Sequence, residues 1–499
     1  MAAAPTKETT YRFIGSWAVQ SRMFEYAVEL YRRGRQRCGD AMLFTNDIAY
    51  LYGIMLNYPE ATKEYISLLA GNPAQLPYVQ NRIAQYTGKP EGLQAATTVV
   101  EQAAARTASD QSLQRLLAWL YMEAKDFGKA YEVYTAIDAR ANAGGKELFA
   151  FAERALRERA YSAASKAYAT IMSTHPQFEA IAQTKFGYAR TLEELDVERD
   201  STAPFVPSEA RPETERMSLY APAVAAYDKV LAGYPTLEVA ARARFRVATI
   251  QYERYGDLDA ARSTLETLLK EGTQFPQVMT DAHLLLSEVL LVQGDLDRAA
   301  THDAAVAGKP PYIGEQRERA AFRLAEIDYF AGRFKESLEK LADLTRNPTA
   351  DATNDALGLK IFIEENRKNS EEGLREYAKA DLLLRQRKLS EAAGRFTSIL
   401  TTYAGSDLVD ETLLSVASAY ARMGRFQDAA AAYERLAADY PESIALDRAL
   451  LQLGRVYALG LHDTPKAIAA YDKLLEKFPN SIYVSEARRR ARELRGDTP

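Results

Sequence analysis

One spacing of three residues recurs along the chain. In RFQDAAAAYERLAADYP, residues 425–441, Ala429 precedes Tyr433 by four positions, and Tyr433 precedes Pro441 by eight. Residues four apart share one face of a helix, and a proline cannot continue a helix that ends before it. The sequence therefore predicts a repeated helical unit, and the same spacing returns in Ala467–Tyr471–Pro479, Ala223–Tyr227–Pro235 and Ala164–Tyr168–Pro176.

A second pattern precedes these alanines. Ala417, Tyr420 and Gly424 stand upstream of Ala429, and Gly454, Tyr457 and Gly460 stand upstream of Ala467. Small residues let two antiparallel helices approach closely, aromatic rings fill the space beside them, and glycine suits the left-handed turn after a helix. In its order of small residue, aromatic, glycine, alanine, aromatic and proline, the unit resembles the tetratricopeptide (TPR) repeat.

The resemblance implies an all-α fold: a right-handed superhelical solenoid of about twelve TPR-like helix-turn-helix units. The first units follow a period of about 34 residues and the later ones a longer period, with two intervals long enough to need insertions. In the weak unit at Ala95 the aromatic is missing, and in the unit at Ala299 its place is taken by Asp303. We mark the units at Ala27, Ala61, Ala95, Ala130, Ala164, Ala223, Ala261, Ala299, Ser337, Ala392, Ala429 and Ala467.

The spacing divides the chain into arrays and insertions. We predict an N-terminal array at 1–195, an inserted loop at 196–217, a second array at 218–345, an inserted helix at 346–372, and a C-terminal array with a closing basic helix at 373–499.

The loop contains three prolines and many charges, which leave little prospect of a core. It is either a tolerated insertion or a docking segment with Phe205 as an apolar contact. In the inserted helix, Leu357, Leu359, Ile361 and Ile363 are too close for one narrow stripe, which predicts burial on more than one side.

Composition excludes several classes of protein. With 63 basic and 68 acidic residues, the net charge of -5 gives no reason to expect nucleic acid as a partner. Cys38 is the only cysteine, so a disulfide framework within the chain is impossible. No apolar run approaches the roughly 20 residues of a membrane span. The start lacks the apolar core of a secretory signal, although Met1 could precede a processed mature end, so the compartment stays open.

Catalytic patterns are missing from the sequence. It has no glycine-rich phosphate cradle, no H-E-x-x-H pair and no G-x-S-x-G elbow. His175 fits a packing role, and His283 and His302 could approach each other but would make a poor metal site without a cysteine or a clear carboxylate partner. We therefore expect no enzyme activity, no cofactor and no metal.

Binding is expected on the first helices of the units, because these line the concave surface of such solenoids. Tyr, Trp and Arg carry much of the binding energy at interfaces. Trp119 and Phe322 could instead pack between neighbouring helices. The candidate partner-binding residues are Asn46, Tyr50, Arg115, Trp119, Arg246, Phe322, Glu326 and Arg455, with Phe205 on the inserted loop.

Two subfamilies of TPR proteins help to narrow the partner. Chaperone-binding TPR proteins hold a peptide carboxylate with a Lys and an Asn on one first helix, and the matching places here hold Asn46 with Tyr50 or Arg115 with Trp119. That mechanism is therefore not expected.

Residues 440–496 resemble bacterial periplasmic TPR proteins, namely the Tol-Pal-associated cell-division coordinators and the lipoproteins of the barrel-assembly machinery. The shared features are a Y-P-x-S hinge, a longer period and a closing basic helix. A lipidated cysteine near the start is missing. The resemblance implies a bacterial, cell-envelope binding protein.

These observations favour a non-catalytic scaffold that binds proteins or peptides through its groove or inserted loop. It would be periplasmic or associated with the outer membrane if a signal peptide is removed, and otherwise cytoplasmic. The alternatives are a glycan- or small-molecule-binding enzyme subunit and a cytosolic regulator that senses a peptide.

Overall fold

The computed structural model of the chain describes residues 7–201, 213–310, 314–346 and 352–497. These residues form 26 α-helices and no strand. From Glu8 to Thr174 and from Glu213 to Arg495, consecutive helices pack against each other, as in a stack of helical hairpins. The predicted all-α repeat fold is confirmed.

The chain divides into two compact units, Met1–Val197 and Glu198–Pro499. The first unit contains five helical hairpins, followed by a helix that runs past the boundary. Its helices are α1 (Glu8–Gln20), α2 (Phe24–Cys38), α3 (Thr45–Ile54), α4 (Tyr58–Gly71), α5 (Leu76–Thr87), α6 (Pro90–Arg106), α7 (Gln111–Glu123), α8 (Phe127–Ala141), α9 (Lys146–Arg157), α10 (Tyr161–Thr174) and α11 (Ile181–Ser201).

The second unit continues the pattern with one extra helix, α19, and a closing helix, α26. The further division of this unit into arrays at 218–345 and 373–499 stays a prediction. Its helices are α12 (Glu213–Gly233), α13 (Glu238–Ile250), α14 (Leu258–Glu271), α15 (Pro276–Gln293), α16 (Leu296–Ala307), α17 (Glu315–Phe330), α18 (Phe334–Leu344), α19 (Thr353–Asn369), α20 (Glu371–Arg385), α21 (Leu389–Thr402), α22 (Val409–Arg422), α23 (Phe426–Asp439), α24 (Leu446–Arg455), α25 (Thr464–Lys477) and α26 (Val484–Arg495).

The alanines and the serine that mark the predicted units lie in the core. All of them except Ala95 are fully buried. In α6 the buried positions are instead Gly92, Ala96, Val100 and Ala104, which follow one another at intervals of four residues. The mark at Ala95 is therefore wrong by one residue, because its neighbour Ala96 faces the core.

The residue four positions after each mark fills the space beside it. This position holds buried tyrosines in several hairpins and Leu265, Leu341 or Phe396 in others. In α16 it holds Asp303, whose side chain is also fully buried. One hairpin of the second unit thus places a carboxyl group where the others place an apolar or aromatic side chain.

Aspartate begins many of the second helices. The carboxylates of Asp126, Asp257, Asp295 and Asp463 accept a hydrogen bond from a backbone N–H in the first turn of α8, α14, α16 and α25. Such caps satisfy donors that have no partner within the helix. At the hairpin turn after α22, Gly424 has a φ of 73°, which confirms the predicted left-handed turn.

The helix bounds correct the predicted loop at 196–217. Residues 196–201 belong to α11 and residues 213–217 belong to α12, so both ends of that segment are helical. Within the helical part of that segment, Asp196 is buried. Phe205 and residues 202–212 lie outside the described part of the chain.

The inserted helix α19 differs from the prediction. Ala356, Ile363 and Asn366 are buried on one face, whereas Leu357 and Ile361 are 44% and 39% exposed. The reason is that α19 packs against α18 and α20 while α17 contacts α20 directly. The expectation of burial on more than one side is therefore wrong: α19 covers its neighbours from one side.

Candidate functional site

A cavity of about 1010 Å³ opens among the first helices of the second unit. Its walls come from α13, α15 and α17, from the start of α19 and from the end of α20. Three of the predicted binding residues, Arg246, Phe322 and Glu326, line it together. The sequence placed them on the inner surface of successive units, and the structure brings them into one site, which we call the unit 2 cavity.

Charged groups of both signs and aromatic rings face this cavity. Phe245, Tyr252 and Phe322 supply the rings. Carboxylates outnumber arginines, so the lining as a whole favours cations. The carboxylates are Glu253, Asp281, Glu288, Glu315, Glu326 and Asp355, and the arginines are Arg246, Arg319, Arg323 and Arg385.

Glu288 on α15 is the centre of an ion-pair network in the wall. Its Oε2 lies 2.9 Å from Nη2 of Arg385 and 3.3 Å from Nη2 of Arg323. The hydroxyl of Tyr252 donates to its Oε1 over 3.2 Å. The network joins α15, α17 and α20 and the π-helical segment Gln251–Tyr255 that follows α13.

Behind the wall, Arg323 connects this network to Asp303. Nη1 of Arg323 donates to the Leu284 carbonyl over 2.6 Å and lies 3.8 Å from Oδ1 of Asp303. Ser287 Oγ donates to Oδ2 of the same carboxyl. Burial raises the pKa of Asp303 to about 7, although the nearby Arg323 acts in the opposite direction.

Glu326 on α17 is a second carboxyl group with a strongly shifted pKa. Burial raises its pKa to about 7, against the attraction of Arg385 and Arg323. Within the described part of the chain it accepts no hydrogen bond and forms no close ion pair. On α20, Asp381 behaves similarly: burial raises its pKa to about 6, and the Tyr329 hydroxyl donates to it over 3.4 Å.

In the first unit, Asn46 and Tyr50 lie on an exposed part of α3. Tyr50 is 52% exposed, and Asn46 Oδ1 accepts a hydrogen bond from the Tyr78 hydroxyl over 3.0 Å. Arg82 Nε donates to the same hydroxyl over 3.0 Å. Asn46 is therefore held by its neighbours, while the Tyr50 ring is available for contact.

Arg115 and Trp119 are engaged in packing contacts. Arg115 Nη2 donates to Glu147 Oε1 over 2.5 Å, which links α7 to α9. Trp119 is partly buried and packs against the core of the first unit. These contacts favour the packing interpretation of Trp119 that the sequence left open.

Arg455 also has an intramolecular partner. Its Nη2 lies 2.6 Å from Oε1 of Glu486, so the side chain connects α24 to the closing helix α26. Phe205, the remaining predicted contact, lies outside the described residues.

His283 on α15 and His302 on α16 approach as the sequence suggested. Their Nδ1 atoms are 2.9 Å apart, and burial lowers the pKa of both imidazoles. Across the described ranges, no group of three or more His, Cys, Asp or Glu side chains is arranged to hold a metal ion. His175 does more than pack, because its Nε2 lies 3.2 Å from Oδ2 of the buried Asp138.

Sequence reasoning missed the residues that organise the unit 2 cavity. Glu288, Arg323 and Arg385 lie on first helices, but nothing in the repeat pattern distinguishes them from solvated charges. Asp303 could have revealed the network, because it is a charged residue at a position that the repeat reserves for a buried ring.

No helix in the described part of the chain combines the length and apolar character needed to cross a membrane. No curated protein matches the sequence.

Three solved structures are similar over long stretches at low identity. Yeast Tom70 is 12% identical, covers 98% of this chain and 96% of its own, and has a TM-score of 0.29. The human IFIT1 dimer is 14% identical, the match covers 87% of this chain and 89% of that one, and the TM-score is 0.32. A tetratricopeptide repeat protein from Parabacteroides merdae is 12% identical, the match covers 69% of this chain and 97% of that one, and the TM-score is 0.27. At such low TM-scores, these likenesses carry no argument about function.

A family model gives a more specific result. The model of the tetratricopeptide repeat matches residues 251–312 and 414–482. The first stretch includes α14 to α16, and the second runs from α22 to α25. The chain therefore contains tetratricopeptide repeats, as the spacing of its alanines, aromatics and prolines predicts.

Proposed function

We propose that the protein is a non-catalytic scaffold that binds partner proteins through the first helices of its repeats. The unit 2 cavity carries this proposal, because three first helices in succession, α13, α15 and α17, form its walls. Repeat proteins of stacked helical hairpins bind on the surface that their first helices line. A cavity lined by both polar and aromatic side chains suits an extended segment of a partner chain.

The residue types at the cavity support a protein partner. Arginine and aromatic side chains are enriched among the residues that dominate binding energy. Arg319 and Asp355 are exposed at the cavity, and Phe322 is partly buried. A partner segment would meet exposed charged groups and partly buried rings.

A second candidate function, an enzyme subunit that binds a glycan or another small molecule, is favoured by one observation. Two carboxyl groups at or behind the cavity, Glu326 and Asp303, have pKa values raised to about 7. Shifted carboxyl groups are often found at catalytic sites, although structural networks shift pKa values as well. A cytosolic regulator that senses a peptide would use the same cavity as the scaffold.

The proposal also assigns the scaffold to the cell envelope of a bacterium. It is supported by the resemblance of residues 440–496 to bacterial periplasmic TPR proteins, in the hinge Tyr440–Pro441–Glu442–Ser443 and in the basic helix α26. We propose a multi-protein assembly of the bacterial envelope as the place of action. Crosslinking in separated envelope and cytosolic fractions tests that assignment.

Site-specific photo-crosslinking tests the scaffold role. Benzoylphenylalanine is introduced into the intact chain at Arg319 or Asp355 on the cavity, at Tyr50 on α3, or at the exposed Glu339 on α18, which does not line the cavity. Each variant is irradiated in an extract of the native organism. Crosslinked proteins are identified by mass spectrometry.

We expect the same discrete proteins to be crosslinked from positions 319 and 355 and not from position 339. Specific partners captured only from Tyr50 would keep the scaffold role and move its site to the first unit. Absence of position-dependent crosslinks in both fractions would overturn the scaffold role. A thermal-shift screen with glycans would then test the enzyme-subunit candidate.

A further inference from the structure

We propose that the unit 2 cavity receives a lysine or arginine side chain from an extended partner segment, and that Glu326 is the carboxylate this cation meets. This inference rests on the proposed scaffold function and specifies the chemistry of the partner. Such a site binds a positive charge, whereas the chaperone-binding TPR proteins hold the negative carboxylate of a peptide.

Two of the cavity's arginines, Arg323 and Arg385, are already held by partners within the chain. Arg323 and Arg385 both contact the Glu288 carboxylate, and Arg323 also donates to a backbone carbonyl. Burial raises the pKa of the Asp281 carboxyl group, and the charge of the nearby Arg319 acts against that rise. Arg323 and Arg385 therefore have little capacity left to bind an anion.

Several carboxylates of the cavity have no hydrogen-bond or ion-pair partner among the described residues. In the described ranges, Glu315, Glu326 and Asp355 form no hydrogen bond or close ion pair through their side chains. Glu315 and Asp355 are exposed, whereas Glu326 is partly buried and lines the cavity. An incoming cation would therefore meet carboxylates both at the rim and inside.

The surroundings of Glu326 explain why a cation would bind there. The carboxyl group is partly buried and accepts no hydrogen bond within the described residues, and burial raises its pKa to about 7. Arg323 on α17 and Arg385 on α20 favour the ionised form, while Glu288 on α15 and Asp381 on α20 oppose it. An ammonium or guanidinium group would supply the donor that the carboxylate lacks and would stabilise its ionised form.

Aromatic rings in the same cavity suit the rest of a basic side chain. Phe245, Tyr252 and Phe322 line it beside Glu326. The alkyl stem of lysine and the plane of a guanidinium both pack favourably on aromatic faces. A basic side chain is therefore accommodated along its length as well as at its charged end.

Proton release follows from this arrangement. At neutral pH a fraction of the Glu326 carboxyl groups carries a proton, and binding of a cation would displace it. We expect the affinity for a basic ligand to rise between pH 6 and pH 8. Calorimetry at pH 6.5, in two buffers with different heats of ionisation, would detect the released proton.

Three matched peptides provide the probe. They are acetyl-Gly-Ala-X-Ala-Gly-amides in which X is arginine, citrulline or glutamate. Citrulline has nearly the same shape as arginine but no charge. Binding to the full chain is measured by isothermal titration calorimetry and by saturation-transfer NMR.

Two protein variants complete the design. Glu326→Gln keeps the shape of the side chain and removes its charge, and melting curves establish that it is folded. Glu442→Gln removes an exposed carboxylate that does not line the cavity.

We expect the arginine peptide to bind at least tenfold more tightly than the citrulline peptide, with proton release. Glu326→Gln should abolish both the discrimination and the proton release, while Glu442→Gln should leave them unchanged. Equal binding of the arginine and citrulline peptides, preference for the glutamate peptide, full retention in Glu326→Gln, or absence of binding at millimolar concentration would each overturn the inference. Partners crosslinked from positions 319 and 355 would in that case still support the scaffold function.

Discussion

A Cβ atom at position 454 would lie 2.3 Å from Cε1 of Tyr471, far inside van der Waals contact. Gly454 lies on α24 and the Tyr471 ring on α25, so the missing side chain sets how closely these two helices approach. The same relationship holds between Gly15 and Tyr31, where the distance is also 2.3 Å. A glycine under a tyrosine ring is thus part of the repeat geometry at both ends of the chain.

Substitution of Gly454 by alanine should destabilise the second unit. The Tyr471 ring is fully buried and has no space to move away, so we expect a loss of about 1–3 kcal/mol in the free energy of unfolding. Denaturant unfolding followed by circular dichroism measures this loss.

Gly394→Ala is the matched control, because a Cβ at that exposed position in the middle of α21 would contact nothing within 4 Å. Alanine is the better helix former by roughly 0.5–1 kcal/mol, so this variant should be more stable than the parent. Equal effects of the two substitutions would contradict the packing explanation.

The stability of the second unit should depend on the protonation of Glu326. Its pKa is about 7 in the folded chain and close to 4.5 when unfolded. The folded state therefore holds the proton more tightly, and its stability falls as the pH rises from about 4.5 through 7. We expect Glu326→Gln to be more stable than the parent by roughly 1–2 kcal/mol at pH 8, with the difference vanishing near pH 4.

Urea midpoints of the two proteins across this pH range give the measurement. A difference between them that stays constant with pH would show that Glu326 does not titrate as described.

The His283–His302 pair should make the second unit sensitive to mild acid. Burial lowers the pKa of both imidazoles, and the charge of His283 lowers that of His302 further. The unfolded chain binds protons more readily, so the pair's contribution is fully present above pH 6.5 and is lost as the pH falls below it. His302→Gln should reduce the loss of melting temperature between pH 7 and pH 5.

His462→Gln serves as the control for removal of an exposed histidine. If the parent and His302→Gln lost the same number of degrees on acidification, the contact between the imidazoles would not be the cause.

Arg455 should matter for stability and not for partner binding. Its ion pair with Glu486 joins α24 to α26, and the hydrogen bonds from Arg455 and Arg490 lower the pKa of Glu486. Both side chains are about one-third exposed, so we expect a coupling energy of roughly 0.5–1 kcal/mol in a double-mutant cycle of Arg455→Ala and Glu486→Ala.

The same variants can be compared in the crosslinking experiment. Loss of the captured partners in Arg455→Ala without loss of folded protein would restore Arg455 as a binding residue.

Much of the fold could be predicted because packing constrains the chain at short, regular intervals. Ala429 and Tyr433 must face the same neighbour, and this requirement is visible in the sequence. The error at Ala95 arose because Ala95 and Ala96 are equally small, and only the series Gly92, Ala96 and Val100 shows which of them faces inward.

Less of the candidate site was predictable. Arg246, Phe322 and Glu326 were found because position within the repeat determines which face of a helix a residue occupies. Glu288 and Arg385 were not, because they are 97 positions apart and meet only through the stacking of α15, α17 and α20. The ion pair of Arg455 was not predictable either, because its partner Glu486 lies on the closing helix, beyond the repeated pattern.

Because of Asp303, the repeats of the second unit should contribute unequally to its free energy of unfolding. In a linear array the free energy of unfolding is approximately a sum over repeats and the contacts between neighbours. A buried ion network contributes less to that sum than a well-packed ring. The backbone amides of α15 to α17 should therefore exchange with solvent earlier than those of α22 to α25, and a ligand in the cavity should slow that exchange. The segment from α15 to α17 would then be the least stable part of the array, and its stability would increase most when a partner binds.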